Sequence, residues 1–159
     1  MTINEFGAKK LGEVLAFNRV GTETLEKGRA ALAAALGEER IIDMEEKNRM
    51  HGEEIMRIAT DAGVIDTTLG KADKTGLKLK QMRDLYVGDE WNNATELLEW
   101  SGFFEGAAIV HWNLIKGVAA AINDEALLTL AEEGVNWHYE LLELAEGELE
   151  SRGSDKATD

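Results

Sequence analysis

The segment Glu45-Glu46-Lys47-Asn48-Arg49-Met50-His51-Gly52-Glu53-Glu54-Ile55 has an echo 87 positions later in Glu132-Glu133-Gly134-Val135-Asn136-Trp137-His138-Tyr139-Glu140-Leu141-Leu142. Both carry paired glutamates, then a histidine on what reads as the inward stripe of a helix. The same offset superposes Phe17 on Phe104, Asn18 on Glu105, Ala33-Ala34 on Ala120-Ala121 and Glu38 on Glu125. Asn18 precedes His51 by 33 positions, and Glu105 precedes His138 by 33. The two halves therefore read as duplicated helical hairpins. A buried polar group is expensive unless something satisfies it, so polar residues kept at matched depth in two hairpins point to one central site.

Outward from these segments, apolar residues recur every three or four positions in stretches rich in Ala, Leu, Glu and Lys, and the 159-residue chain has no proline. That pattern predicts an all-α fold in one domain over residues 1–150, with 44% hydrophobic content to build its core. The first helix is expected from Thr2 or Asn4 to Leu36, with the stripe Leu11, Val14, Asn18, Gly21, Leu25, Gly28, Leu32 and Ala35. The second runs from Glu38 to Ala62, with Ile41, Met44, Asn48, His51, Ile55 and Ile58 on one face. Residues 63–91 break the pattern with four glycines and read as a connection holding one short amphipathic turn, Leu77 to Tyr86. A third helix is expected from Asn92 to Ile122 and a fourth from the Asn123-Asp124 turn to Glu150, followed by a disordered tail over 151–159. Two hairpins joined by one long connection are what a four-helix bundle with a single crossover requires.

Composition narrows the function. The absence of cysteine excludes disulfides, thiolate metal sites and cysteine nucleophiles. A net charge of −14 argues against nucleic acid or an anionic membrane surface as partner, since either would repel the chain. The longest uncharged run, Gly106 to Ile115, is too short to cross a bilayer, and the N-terminus lacks a basic region followed by an apolar core. A cytoplasmic protein is the resulting expectation. No phosphate-binding glycine loop, Ser-His-Asp arrangement or zinc-finger spacing is present.

A glutamate on the first helix of each hairpin and Glu-x-x-His on the second is the pattern of the ferritin-like superfamily, which this chain resembles over about residues 5 to 150. The resemblance implies a four-helix bundle with one long crossover, and in that family two iron or manganese ions held between the hairpins for iron oxidation, peroxide reduction or dioxygen activation. Carried over position by position, Glu105, His51 and His138 match the pattern. Asn18 stands where the first-hairpin carboxylate belongs, and Asn48 and Val135 replace the two bridging glutamates. One carboxylate cannot offset the charge of two hard divalent ions.

Three readings of the central residues follow. In the first, Asn18, Asn48, His51, Glu105 and His138 form a metal-free hydrogen-bond network, and the protein is a non-catalytic binding or structural module. In the second, His51, Glu105 and His138 hold a single Fe, Mn or Zn ion for redox or iron-handling chemistry, with Asn18 or Asn48 supporting the ligands. In the third, His51 and His138 clasp a haem, which the small residues of the stripes disfavour. Whether the chain is an enzyme is left open, and no catalytic residue is assigned.

The remaining polar residues read as structural. His111 lies off the central seam on a second stripe of the third helix, Trp100, Phe104, Ala107, His111, Leu114 and Val118. Tyr86 and Tyr139 read as packing residues with a polar tip, and Glu45, Glu46, Glu132 and Glu133 as solvated faces. The second stripe would expose an aromatic patch unless the connection and a second subunit cover it, which predicts a homodimer.

Overall fold

In the computed structural model, which describes residues 2–159, the chain is all-helical: α1 (Glu5–Lys27), α2 (Arg29–Leu36), α3 (Glu38–Asp61), α4 (Ile65–Val87), α5 (Ala94–Ile122) and α6 (Glu125–Thr158). No strand occurs among the described residues, and no helix there is long and apolar enough to cross a membrane. Asn4 caps α1 by accepting from Gly7 N–H at 2.9 Å, Asn93 caps α5 through Thr95 N–H, and Asp124 caps α6 through Leu127 N–H. Between α5 and α6, Asn123 takes the left-handed conformation (φ 55°) and Asp124 N–H returns to Ala119 C=O.

The expected continuous first helix is interrupted at Gly28, which separates α1 from α2. A Cβ there would lie 2.8 Å from Leu97 Cδ1 of α5, so glycine at the break lets α5 approach without displacing that side chain. α3 then folds back along α1 and α2. Asn18 meets Asn48 in its middle, and Arg29 bridges Glu38 and Glu45 near the turn.

The largest departure from the sequence reading is residues 63–91, where the expected connection is instead the 23-residue helix α4. Its buried seam is Thr68, Ala72, Gly76, Leu79, Arg83 and Val87, which has helical spacing but only two aliphatic residues larger than alanine. α4 lies along α1 in the same direction. Thr68 Oγ1 donates to Ala8 C=O at 3.2 Å, Gly76 faces Ala16 and Val20, and Arg83 donates to Thr24 Oγ1 and Glu23 at 3.2 Å each. At Gly12 a Cβ would sit 2.5 Å from Thr68 C=O, so small residues bring the two backbones together. Arg83 is buried yet has every face occupied: Glu23, Thr24, Asp84 and the ring of Trp91 surround it.

α1 sits at the centre with α3, α4 and α5 against it, which is why every residue from Leu11 to Phe17 is buried. α5 runs opposite to α1, with Phe104 against Phe17 and Gly21 in the middle and Val118 near Gly7 at one end. α6 folds back along α5. Trp112 packs flat against Gly134, and Lys47 of α3 lies over Trp137 of α6.

Two further expectations change. α6 continues to Thr158, so residues 151–158 are helical rather than disordered and, apart from the half-buried Arg152, exposed; a formed helix propagates cheaply through a segment without proline. Trp100 and Phe104, on which the dimer expectation rested, are covered by their own chain through Phe17 of α1 and Tyr86 of α4. The aromatic residue left exposed on α5 is Phe103.

Candidate functional site

His51, Glu105 and His138 all point inward from α3, α5 and α6 and are 5%, 7% and 6% exposed. Nδ1–H of His138 donates to Oε2 of Glu105, a charge-assisted contact with little competing water. His51 does not join that pair. Its ring meets Trp112 edge-on with centroids 6.1 Å apart, and burial, then the charge of His138 and Lys47, push its pKa down to about 4. His51 is therefore a neutral imidazole at physiological pH. The indole N–H of Trp112 beside it is buried without an acceptor among the described residues.

The two asparagines divide their work. Asn18 Nδ2 donates to the backbone carbonyl of Asn48 at 2.7 Å, and its Oδ1 lies where a Cβ on residue 52 would be, 2.6 Å away, which explains Gly52. Asn18 thus ties α1 to α3 and is turned away from Glu105. Asn48 instead borders a cavity of about 60 Å³ together with Gly21, Thr24, Ser101, Glu105 and His138. That space suits one or two waters or a single ion, since a water occupies roughly 30 Å³ of liquid.

The donor set does not suit the two-metal centre of the family that the sequence resembles. Glu105 is the one carboxylate at this level and is already bonded to His138, while Asn18 is committed to backbone. No group of three His, Asp or Glu side chains is placed to hold a metal among the described residues. Of the expected ligand set, Glu105 and His138 are brought together and His51 stands apart beside Trp112.

A second polar cluster is not visible in the central seam. Glu13 of α1 is buried, with Lys10 Nζ at 3.0 Å, Lys71 Nζ of α4 at 3.6 Å and His111 Nε2 of α5 at 3.7 Å. Nδ1–H of His111 donates to Ala107 C=O at 2.7 Å, and the ring packs 4.8 Å from Phe17. The available signal was Glu13 four residues before Phe17, on a second buried stripe of α1 that a one-stripe reading passes over.

The remaining tyrosines and glutamates lie at the surface or in ion pairs, Tyr139 included although packing was expected of it. Tyr86 donates to Glu99 at 3.1 Å, Tyr139 is exposed, Glu45 binds Arg29, Glu46 binds Arg49, Glu132 pairs with Lys116 at 3.7 Å, and Glu133 borders an outer groove between α3 and α6. A surface groove of about 710 Å³ lies between α1 and α3 over Leu15, Asn18, Thr22 and Met56. Of its three arginines, Arg49 and Arg57 are each tied to two acids of their own helix, and Arg19 lies 3.8 Å from Asp73 of α4. Comparison of the chain with family models, curated proteins and solved structures found no match.

Proposed function

We propose that this protein is a metal-free, ferritin-like four-helix bundle that acts as a cytoplasmic, non-catalytic binding or structural module. The four helices of that reading are α1 with its extension α2, α3, α5 and α6, and α4 is the crossover. Support comes from the directions of the helices: α3 and α5 oppose α1, α6 opposes α5, and α4 returns parallel to α1.

The observation that carries the loss of metal chemistry is the His138 to Glu105 hydrogen bond. It uses the one central carboxylate to satisfy a buried imidazole, so the duplicated polar pattern serves as an interlock between α5 and α6. Asn18 does the equivalent for α1 and α3. With the centre committed to holding the helices, function falls to the surface.

A second reading, a single Fe, Mn or Zn ion, is favoured by one observation: Asn48, Glu105 and His138 share the small cavity, and neutral His51 is buried nearby. Elemental analysis of protein purified without an affinity tag or chelator separates the two. The structural reading expects no stoichiometric metal and a melting temperature unchanged by chelator. Stoichiometric metal that disappears in both Glu105→Gln and His51→Ala would overturn it.

A further inference from the structure

We propose that two copies of this chain associate through the outer face of α5, the two α5 helices running in the same direction. This rests on the surface alone and is independent of whether the core holds a metal.

Phe103, Gly106, Val110, Leu114, Gly117 and Ala121 recur on α5 at intervals of three or four, so they form one stripe. Phe103 is 61% and Val110 66% exposed. From Phe103 to Ala121 the stripe carries no charge, since Glu105 is turned to His138 and Lys116 to Glu132; the charge on this face begins one turn earlier at Glu99, which accepts from Tyr86. In a chain of net charge −14, an uncharged apolar face is where a second copy can approach without repulsion.

The glycines agree with this. At Gly12, Gly28 and Gly52 a Cβ would collide with a neighbour in the same chain, whereas at Gly106 and Gly117 it would meet nothing within 4 Å. Gly106 and Gly117 thus leave room for a helix from outside to come close, an openness that they share with Gly70, Gly102, Gly147 and Gly153.

The borders of the face decide the direction. On one side lies α4, which carries five basic residues against three acidic; Lys71 reaches Glu13 beside His111, and Lys74 and Lys78 follow on the same edge. On the other lies α6, which from Glu125 to Glu150 has eight glutamates and no Lys or Arg. Glu132 meets Lys116 at the α5 border, and Glu143 and Glu146 recur on that edge. A twofold axis along α5 exchanges left and right, so the lysine edge of each copy faces the glutamate edge of the other. A twofold axis across α5 would set glutamates against glutamates.

Size demands that both borders take part. From Phe103 to Ala121 the stripe is about 27 Å long, and a strip about 10 Å wide along it covers on the order of 300 Å², well under half of the roughly 800 Å² per partner that a stable interface buries.

The test uses the full chain and its lack of cysteine. Light scattering at tens of micromolar should give a mass near twice 17.5 kDa, and Val110→Glu should return it to the monomer with an unchanged helical circular dichroism spectrum. Phe103→Cys and Ala121→Cys should each cross-link to themselves with a short bismaleimide. Lys74→Glu with Lys78→Glu should weaken association about tenfold or more, in a salt-dependent manner, and Glu132→Lys with Glu143→Lys on the same chain should restore it. A wild-type monomer, or a Val110→Glu dimer, overturns the interface. Cross-linking only in a mixture of the two cysteine variants overturns the direction.

Discussion

Phe17 and Phe104 stand 87 positions apart and pack against each other, ring centroids 5.2 Å apart and planes tilted by 56°, between α1 and α5. The same offset relates Asn18 to Glu105 and His51 to His138. Of these equivalent positions the aromatic pair meets in the middle of the molecule, one residue from Asn18 and Glu105, which turn to different partners.

This pair should be energetically coupled. Phe17→Leu and Phe104→Leu should each destabilise the protein, and the double variant should lose less than their sum by about 1 kcal/mol. Urea denaturation of the four proteins measures it. Strict additivity would mean that the rings are merely neighbours.

Glycines should separate by what their missing Cβ would meet. Gly12→Ala drives a methyl group against the Thr68 carbonyl and should cost about 1 to 3 kcal/mol, despite the gain in helix propensity. Gly70→Ala, on the open face of α4, should stabilise by about 0.5 to 1 kcal/mol. Thermal melts that rank them in the opposite order would contradict the α1–α4 contact.

The interlock between α5 and α6 should respond unequally to its two members. His138→Ala leaves the Glu105 carboxylate buried and unpaired and should cost about 3 to 5 kcal/mol. Glu105→Gln keeps a hydrogen-bonding partner and removes the charge, so its effect should stay within about 1 kcal/mol. Chemical denaturation checks both. A severe Glu105→Gln defect would point to a role that needs the negative charge.

His51 should make the protein acid-sensitive. Its folded pKa of about 4 lies below the ordinary value of 6.5, so between those limits the unfolded chain binds more protons and stability rises with pH. The contribution is complete above 6.5 and lost as pH falls toward 4. Allowing for screening at the partly open edge of the ring, wild type should lose on the order of 1 to 2 kcal/mol more than His51→Gln between pH 7 and pH 5. Parallel pH profiles would place His51 in contact with water.

What the chain determined by itself is the part written in regular patterns. The all-α class, the turns at Gly37 and Asn123-Asp124, and the inward placement of His51, Glu105 and His138 follow from apolar spacing, capping residues and an 87-residue echo, all of which are local or self-comparing signals. Residues 63–91 escaped that reading because the α4 seam is built from Thr68, Ala72, Gly76 and Arg83, residues that look hydrophilic or small until α1 lies against them. Glu13 escaped for the same reason: its partners come from α4 and α5 as well as its own helix.

Tertiary structure alone decided which polar residues pair. Spacing puts Asn18, His51, Glu105 and His138 at one level, but it cannot say that Asn18 turns to the α3 backbone while Glu105 takes His138 and leaves His51 beside Trp112. Side-chain direction across an interface depends on where each helix sits and how it is rotated about its axis. Both are set by the packing of large and small residues, Trp112 against Gly134 and Asn18 over Gly52, whose contacts are not encoded at any fixed distance along the chain.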